Sequence, residues 1–236
     1  MLDQSGLVLM GVVGSTAYGL DRPGSDEDRI GVFVRPTIDL LGLTPPGNQD
    51  HRQTRVSNEP SDVTLHELGK FCSLALRCNP TITELLWLTD YEFIDQSIGG
   101  WLVDHRQKFL SKGYVRNAYL GYATQQFRRL VTRGDGSFSA DTRKRSAKHS
   151  RHLMRLCVQG KQLWDTGELV VRLENPEAYF EFGEKVAAGN YSDASRLIRE
   201  TGAHFDTADT ALPDHPATDF VEDFLISVRI KNLPAA

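Results

Sequence analysis

The stretch Val12-Val13-Gly14-Ser15-Thr16-Ala17-Tyr18-Gly19, followed by Ser25-Asp26-Glu27-Asp28-Arg29-Ile30-Gly31-Val32-Phe33-Val34, decides how this chain is read. An apolar run from Leu7 to Val13 stops at a Gly-Ser pair, and a second begins at Ile30. Both runs are short, β-branched and bounded by glycine, so the pattern predicts two buried strands. Side chains at i and i+2 of a strand share a face, so Asp26 and Asp28 point one way and Glu27 the other. Neighbouring carboxylates repel and raise each other's pKa unless a cation sits between them. That arrangement suits oxygen-seeking divalent ions such as Mg²⁺, which use one or two carboxylates plus substrate phosphates. A Gly at a strand end, followed by Ser and a helical turn, lets backbone N–H groups approach an anion. A phosphate cradle beside a metal site makes a nucleotide the natural ligand.

At these residues the chain resembles the DNA polymerase β-type nucleotidyltransferase superfamily, whose pattern is Gly-Ser or Gly-Gly, a short gap, then Asp-x-Asp on the next strand. Gly14, Ser15, Asp26 and Asp28 fit it. Taken singly, Gly14-Ser15 also reads as a tight turn and Asp26/Asp28 as a solvated strand entrance. The two halves, correctly spaced between strands, favour the site.

The bulk composition narrows the class. With 236 residues, 40% of them hydrophobic and 25% charged, the chain has an ordinary folded composition with room for one large or two small cores. No apolar run approaches the length of a spanning helix. The start, Met1-Leu2-Asp3-Gln4-Ser5, lacks the basic region of a signal peptide. Cys72, Cys78 and Cys157 show no zinc spacing, and their odd number argues against a disulfide framework. A soluble cytoplasmic protein with small buried cysteines is expected. The net charge of −4 hides a segregation: residues 128–161 hold ten Lys/Arg against Asp135 and Asp141, a local +8 inside an acidic chain. Such a block suggests a polyanionic ligand or, more plainly, a solvated helix face.

Along the chain, no helix fits before the first strand, which leaves one side of the sheet open or covered by the C-terminal region. Residues 35–61 read as a long loop, with Gln53 to Val56 a candidate edge strand. A short strand around Asp62 to Leu65 follows, and Thr64-x-x-Glu67 reads as a capping box opening a helix. Asn79-Pro80 caps a second helix. Ile98, Trp101, Leu102 and Phe109 mark one amphipathic segment, and Val115 to Leu130 a longer helix that Arg133-Gly134-Asp135-Gly136-Ser137 breaks. Asp141 or Thr142 then caps a helix running to about Gly160, on which Lys148, His152 and Arg155 form one stripe. Trp164 to Val171 continues the superfamily resemblance, which implies a helix end, a turn and a short strand there. Helices are expected at Asn175-Pro176-Glu177, from Ser192 to Glu200 and around Phe220 to Val228, with a loop over 202–218.

Here the resemblance narrows. Asp62 before a strand, the Glu67-to-Phe71 helix start, Asn79-Pro80-x-x-x-Glu84-Leu85-Leu86, and Lys148-x-x-x-His152-x-x-Arg155-Leu156 look like the RNA-ligase-associated branch of that superfamily. Spacing alone does not select Asp62 over Asp50 or Glu59; the resemblance gives Asp62 the third metal-ligand role. The resemblance covers roughly residues 7–34 and 61–172.

The fold implied is α+β, a small mixed-sheet nucleotidyltransferase domain over 1–95 followed by a mainly helical domain over 96–236, with the active site in the cleft between. The reaction implied moves a nucleoside monophosphate from an NTP to an acceptor hydroxyl. Asp26, Asp28 and Asp62 are the metal-binding and catalytic candidates, with two Mg²⁺ or Mn²⁺ ions as cofactors. Gly14, Ser15, Lys148, His152 and Arg155 are the nucleotide-binding candidates, and Arg143, Lys144 and Arg145 the RNA-binding ones. Arg29 either bridges to Asp28 or faces the nucleotide. An RNA end, in RNA repair or tRNA modification, is the expected acceptor. A protein hydroxyl, as in toxin–antitoxin enzymes, or a catalytically silent nucleotide- or RNA-binding module, are the alternatives.

Overall fold

The glycine-bounded apolar runs fold as strands in the computed structural model of the chain, which describes residues 6–43, 52–55, 61–132 and 140–234. Strand β1 is Leu7–Val13, followed at once by a single helical turn, α1, Gly14–Tyr18. Strand β2 is Glu27–Phe33, β3 is Arg52–Arg55, β4 is Ser61–Glu67 and β5 is Phe93–Ile94. Their order across the sheet is β3-β4-β2-β1-β5, with β2 and β4 parallel and the other pairs antiparallel. The sheet is therefore mixed, and the fold is α+β as the sequence implies.

Register puts Val13, Asp28 and Asp62 side by side, with Gly11, Ile30 and Thr64 in the next row. Strand alternation places all six on one face. Gly11 admits Leu85 and Leu88 onto that face: an added Cβ would lie 2.4 Å from Leu88 Cδ1 and 3.6 Å from Leu85 Cδ1. The opposite face carries Leu7, Val63 and Leu65, with Met10 and Phe33 packed against them. Helix α2 is Leu68–Ala75, α3 is Pro80–Leu85 and α4 is Gly99–Asp104.

The expected capping box does not form. Thr64 lies in β4, which runs through Glu67 without a loop, so Glu67 itself caps α2 by accepting from Gly69 N–H at 2.8 Å. Asn79 caps α3 as expected, its Oδ1 accepting from Thr81 N–H at 3.1 Å. The segment expected over 98–109 splits into α4 and a 3₁₀ turn, Arg106–Phe109.

The chain divides into two compact units, Met1–Leu110 with His215–Ala236, and Ser111–Asp214, rather than at residue 96. The second unit contains α5 (Lys112–Thr132), α6 (Ala140–Thr166), α7 (Pro176–Ala187) and α8 (Tyr191–Thr207). The break expected at 133–137 lies outside the described residues. So do Asp50, Glu59 and most of the 44–60 stretch. Helix α6 begins at Ala140, so Asp141 and Thr142 stand in its first turn rather than capping it. Helix α8 continues through Thr207, into the stretch expected to be a loop. Buried Phe205 and the Thr201 hydroxyl, bonded to Leu197 O at 2.8 Å, hold its last turns. No strand forms at Leu169–Val171. Side-chain amides take its backbone groups instead: Gln159 Nε2 donates to Val170 O and Val171 O, and Val170 N–H donates to Gln162 Oε1 at 3.0 Å.

The final helix, α9, Thr218–Lys231, belongs to the sheet unit. Arg229 Nη2 donates to Glu67 Oε1 at 2.5 Å, and the Thr37 hydroxyl donates to Arg229 O at 2.6 Å. Trp101 stacks on Phe224, ring centroids 3.6 Å apart and nearly parallel. The C-terminal region thus covers part of the unit that starts with β1. All three cysteines are buried thiols outside any disulfide, and burial pushes the Cys72 and Cys157 thiols up to about 12 and about 11. Among the described residues, no helix is long and apolar enough to cross a membrane.

Candidate active site

Everything at this site follows from how β1 ends. Gly14 takes φ +70°, a left-handed conformation that favours glycine, and turns the chain from β1 into α1. A Cβ on Gly14 would lie 2.6 Å from Asp28 Oδ2, closer than side-chain carbons come, so the Asp28 carboxylate rests directly on the Gly14 backbone. The turn is closed behind it by Leu20 N–H donating to Ser15 O at 2.8 Å. The Gly-Ser turn and the second aspartate, separate motifs in sequence, thus touch in the fold.

Asp62 is the register partner of Asp28 on the neighbouring parallel strand. Adjacent strands lie about 4.8 Å apart, which puts the two carboxylates side by side on one face. Asp26 precedes β2 and is exposed, as is Asp62, while Asp28 is partly buried. The residues therefore offer oxygen ligands only, two of them in register beside a glycine turn. That donor set fits Mg²⁺ or Mn²⁺, hard cations that complete their shells with substrate phosphates and water. Among the described residues, no three His, Cys, Asp or Glu side chains converge as a preformed metal cage.

Arg29 takes neither position open to it from sequence. It points to the opposite face with Glu27 and pairs with Glu27 and with Glu92, its Nε 2.9 Å from Glu92 Oε1. Burial works against its charge, but the two carboxylates outweigh burial and raise its pKa.

In the helical unit, Lys148 is exposed, His152 half-buried and Arg155 only 1% exposed, so the expected stripe runs from solvent into the interior. Arg155 Nη1 donates to Gln159 Oε1 at 2.6 Å and Nη2 lies 3.2 Å from His152 Nδ1. Guanidinium only donates, so His152 Nδ1 accepts and its proton resides on Nε2. Burial, then the charges of Arg155, His149, Lys148 and Arg129, push the His152 pKa down to about 3. His152 is therefore a neutral donor in a cationic setting. His149 Nδ1 meets Gln126 Oε1 at 2.7 Å, which ties α6 to α5.

Of the three candidate RNA-binding residues, Arg143 pairs with Glu184 of α7 at 3.1 Å, and Arg143, Lys144 and Arg145 are all exposed. Sequence reasoning assigned no role to Glu84 or Tyr18. Both are buried, and the Tyr18 hydroxyl donates to Glu84 Oε2 at 2.5 Å. The only signal for Glu84 was its place after Asn79-Pro80, and nothing local in the sequence links it to Tyr18.

A family model described as RNA repair pathway DNA polymerase beta family, RlaP, matches residues 3–179. That span includes every candidate residue named above. No curated protein matches the chain.

Proposed function

For a chain that belongs to the RNA repair pathway DNA polymerase beta family, we propose a divalent-metal-dependent transfer of a nucleoside monophosphate from an NTP to the hydroxyl of an RNA end. The observation that carries this is the junction of Gly14 with Asp28, and of Asp28 with Asp62. It joins an anion-binding turn to paired oxygen ligands, the two things a nucleotide with its metal requires. Asp26, Asp28 and Asp62 would hold two Mg²⁺ or Mn²⁺ ions. When bound, such ions polarise phosphoryl oxygens and acidify an attacking hydroxyl.

The remaining work falls to the chain. Backbone N–H groups of Gly14 and Ser15 hold the β- and γ-phosphates. Asp62, the exposed member of the in-register pair, accepts the proton of the attacking hydroxyl, directly or through water. The new phosphodiester bond forms as the bond to pyrophosphate breaks, without a covalent enzyme intermediate. Lys144 and Arg145, with Arg143 once it leaves Glu184, meet RNA phosphates. The family's place in RNA repair favours an RNA acceptor over a protein hydroxyl.

The test is incubation with each α-labelled NTP, Mg²⁺ or Mn²⁺, and either RNA bearing a free 3′-hydroxyl or total cell protein. Label on RNA supports the proposal. Label on protein alone makes the acceptor wrong, and no label on either removes the reaction.

A further inference from the structure

The turn that carries Gly14 and Ser15 is only five residues long, so it cannot hold its own position. At one end it is fixed by β1, whose last residue, Val13, is in register with Asp28. At the other end stands Tyr18, 8% exposed, whose hydroxyl donates to Glu84 Oε2 at 2.5 Å. Glu84 is fully buried in α3, a helix started by the Asn79 cap and by Pro80 at its first position. A carboxylate so buried is costly unless hydrogen-bonded, which makes this an improbable place for Glu if packing were the only demand. The bond joins residues 66 apart in sequence, across the sheet unit.

We propose that Tyr18 and Glu84 are positioning residues for the nucleotide: the hydroxyl–carboxylate bond sets where α1 sits over Asp28, and so where the Gly14 and Ser15 N–H groups meet the triphosphate. This rests on the nucleotidyl-transfer reading above. Asp28 Oδ2 lies 2.6 Å from the position a Gly14 Cβ would take, so the carboxylate fills the space beside the glycine and a shift of α1 changes how the two meet. Tyr18 and Glu84 act through α1 and touch no reacting atom.

Tyr18→Phe alone would orphan the Glu84 carboxylate, so the decisive protein is the paired variant Tyr18→Phe/Glu84→Leu. Removing donor and acceptor together avoids leaving either as the other's unpaired buried group, and thermal unfolding of the paired variant checks that it folds. Glu84→Gln retains an acceptor for Tyr18 and serves as the conservative rescue. Tyr91→Phe is the matched control: it deletes a tyrosine hydroxyl that bonds Leu85 O of the same helix at 2.9 Å, away from α1. Calorimetry with non-hydrolysable analogues of the four NTPs and Mg²⁺, without acceptor, gives dissociation constants, and steady-state transfer gives KM and kcat. In the paired variant, analogue Kd and NTP KM rise about tenfold and kcat stays within about threefold, as a modest misplacement of binding groups produces. Glu84→Gln and Tyr91→Phe bind like the wild type. A paired variant that binds NTP as the wild type does, or a Tyr91→Phe that weakens binding equally, overturns the inference. Wild-type binding without transfer would sink the reaction and leave this inference to be decided by the dissociation constants.

Discussion

Replacing Gly14 by alanine perturbs the site in two separable ways. The left-handed backbone at φ +70° costs an L-residue about 1–2 kcal/mol. The added methyl would stand 2.6 Å from Asp28 Oδ2. Ordinary van der Waals separation begins at 3.4 Å, so the carboxylate must retreat by about 0.8 Å or the turn must lift by as much. A displacement of about 1 Å in a positioned group costs on the order of 100-fold in rate. The expected outcome is a melting temperature lower by about 2–8 °C together with transfer reduced about 100-fold. Gly189→Ala separates the effects: that glycine also has positive φ, +106°, but an added Cβ there meets nothing within 4 Å. It should lose comparable stability and no activity. Thermal unfolding and labelled-NTP transfer, run on both variants, give the comparison. If the two variants transfer equally well, the close approach of Gly14 to Asp28 has no part in the reaction.

Other outcomes follow from single features of the structure. Asp26→Asn should lose transfer while melting close to the wild-type temperature, because Asp26 is exposed and precedes β2. An active Asp26→Asn would remove that residue from the site. His152 has a folded pKa of about 3 against 6.5 for a free imidazole, so below 6.5 the unfolded chain binds the extra proton. Stability should therefore fall as pH drops from about 6.5 to about 3, and His152→Gln should flatten that slope in urea unfolding. Arg155→Ala, which removes a buried guanidinium from Gln159 and His152, should raise the His152 pKa in an NMR titration. Changing Arg143, Lys144 and Arg145 together to Gln should lower the slope of RNA affinity against log salt by about one unit for each phosphate these side chains neutralise. NTP affinity should not change. Arg143 should contribute least, since Glu184 already pairs with it.

The strands at the site were legible because their signals are local. Short β-branched runs, glycine punctuation and the two-residue spacing of Asp26 and Asp28 act over a few residues, and Gly14 announced a turn needing positive φ. Asp62 came from the resemblance, and the register with Asp28 supplies the geometric reason that spacing could not. Interactions across long stretches of chain were not legible. Helix α9 was visible as a periodic run, but its attachment through Arg229 to Glu67, 162 residues earlier, leaves no local pattern. The same holds for Tyr18 and Glu84. Periodicity put Lys148, His152 and Arg155 on one face but could not say how deep each lies. Arg155 is buried with Nη1 and Nη2 meeting Gln159 and His152, partners that packing rather than spacing brings to it. The strand expected at Leu169–Val171 failed for a related reason, since the amides of Gln159 and Gln162 meet the backbone groups a partner strand would have met.

In the proposed reaction, paired carboxylates on adjacent strands, seated against the Gly14 turn, serve nucleotidyl transfer. Asp28→Asn tests it most directly, because that residue touches Gly14 and is in register with Asp62. Wild type and variant are mixed with Mg²⁺, α-labelled NTP and RNA bearing a free 3′-hydroxyl, and labelled RNA and released pyrophosphate are counted together. The wild type should give equal amounts of both, and a variant that melts normally should give neither. Labelled RNA produced at the wild-type rate by Asp28→Asn would contradict this.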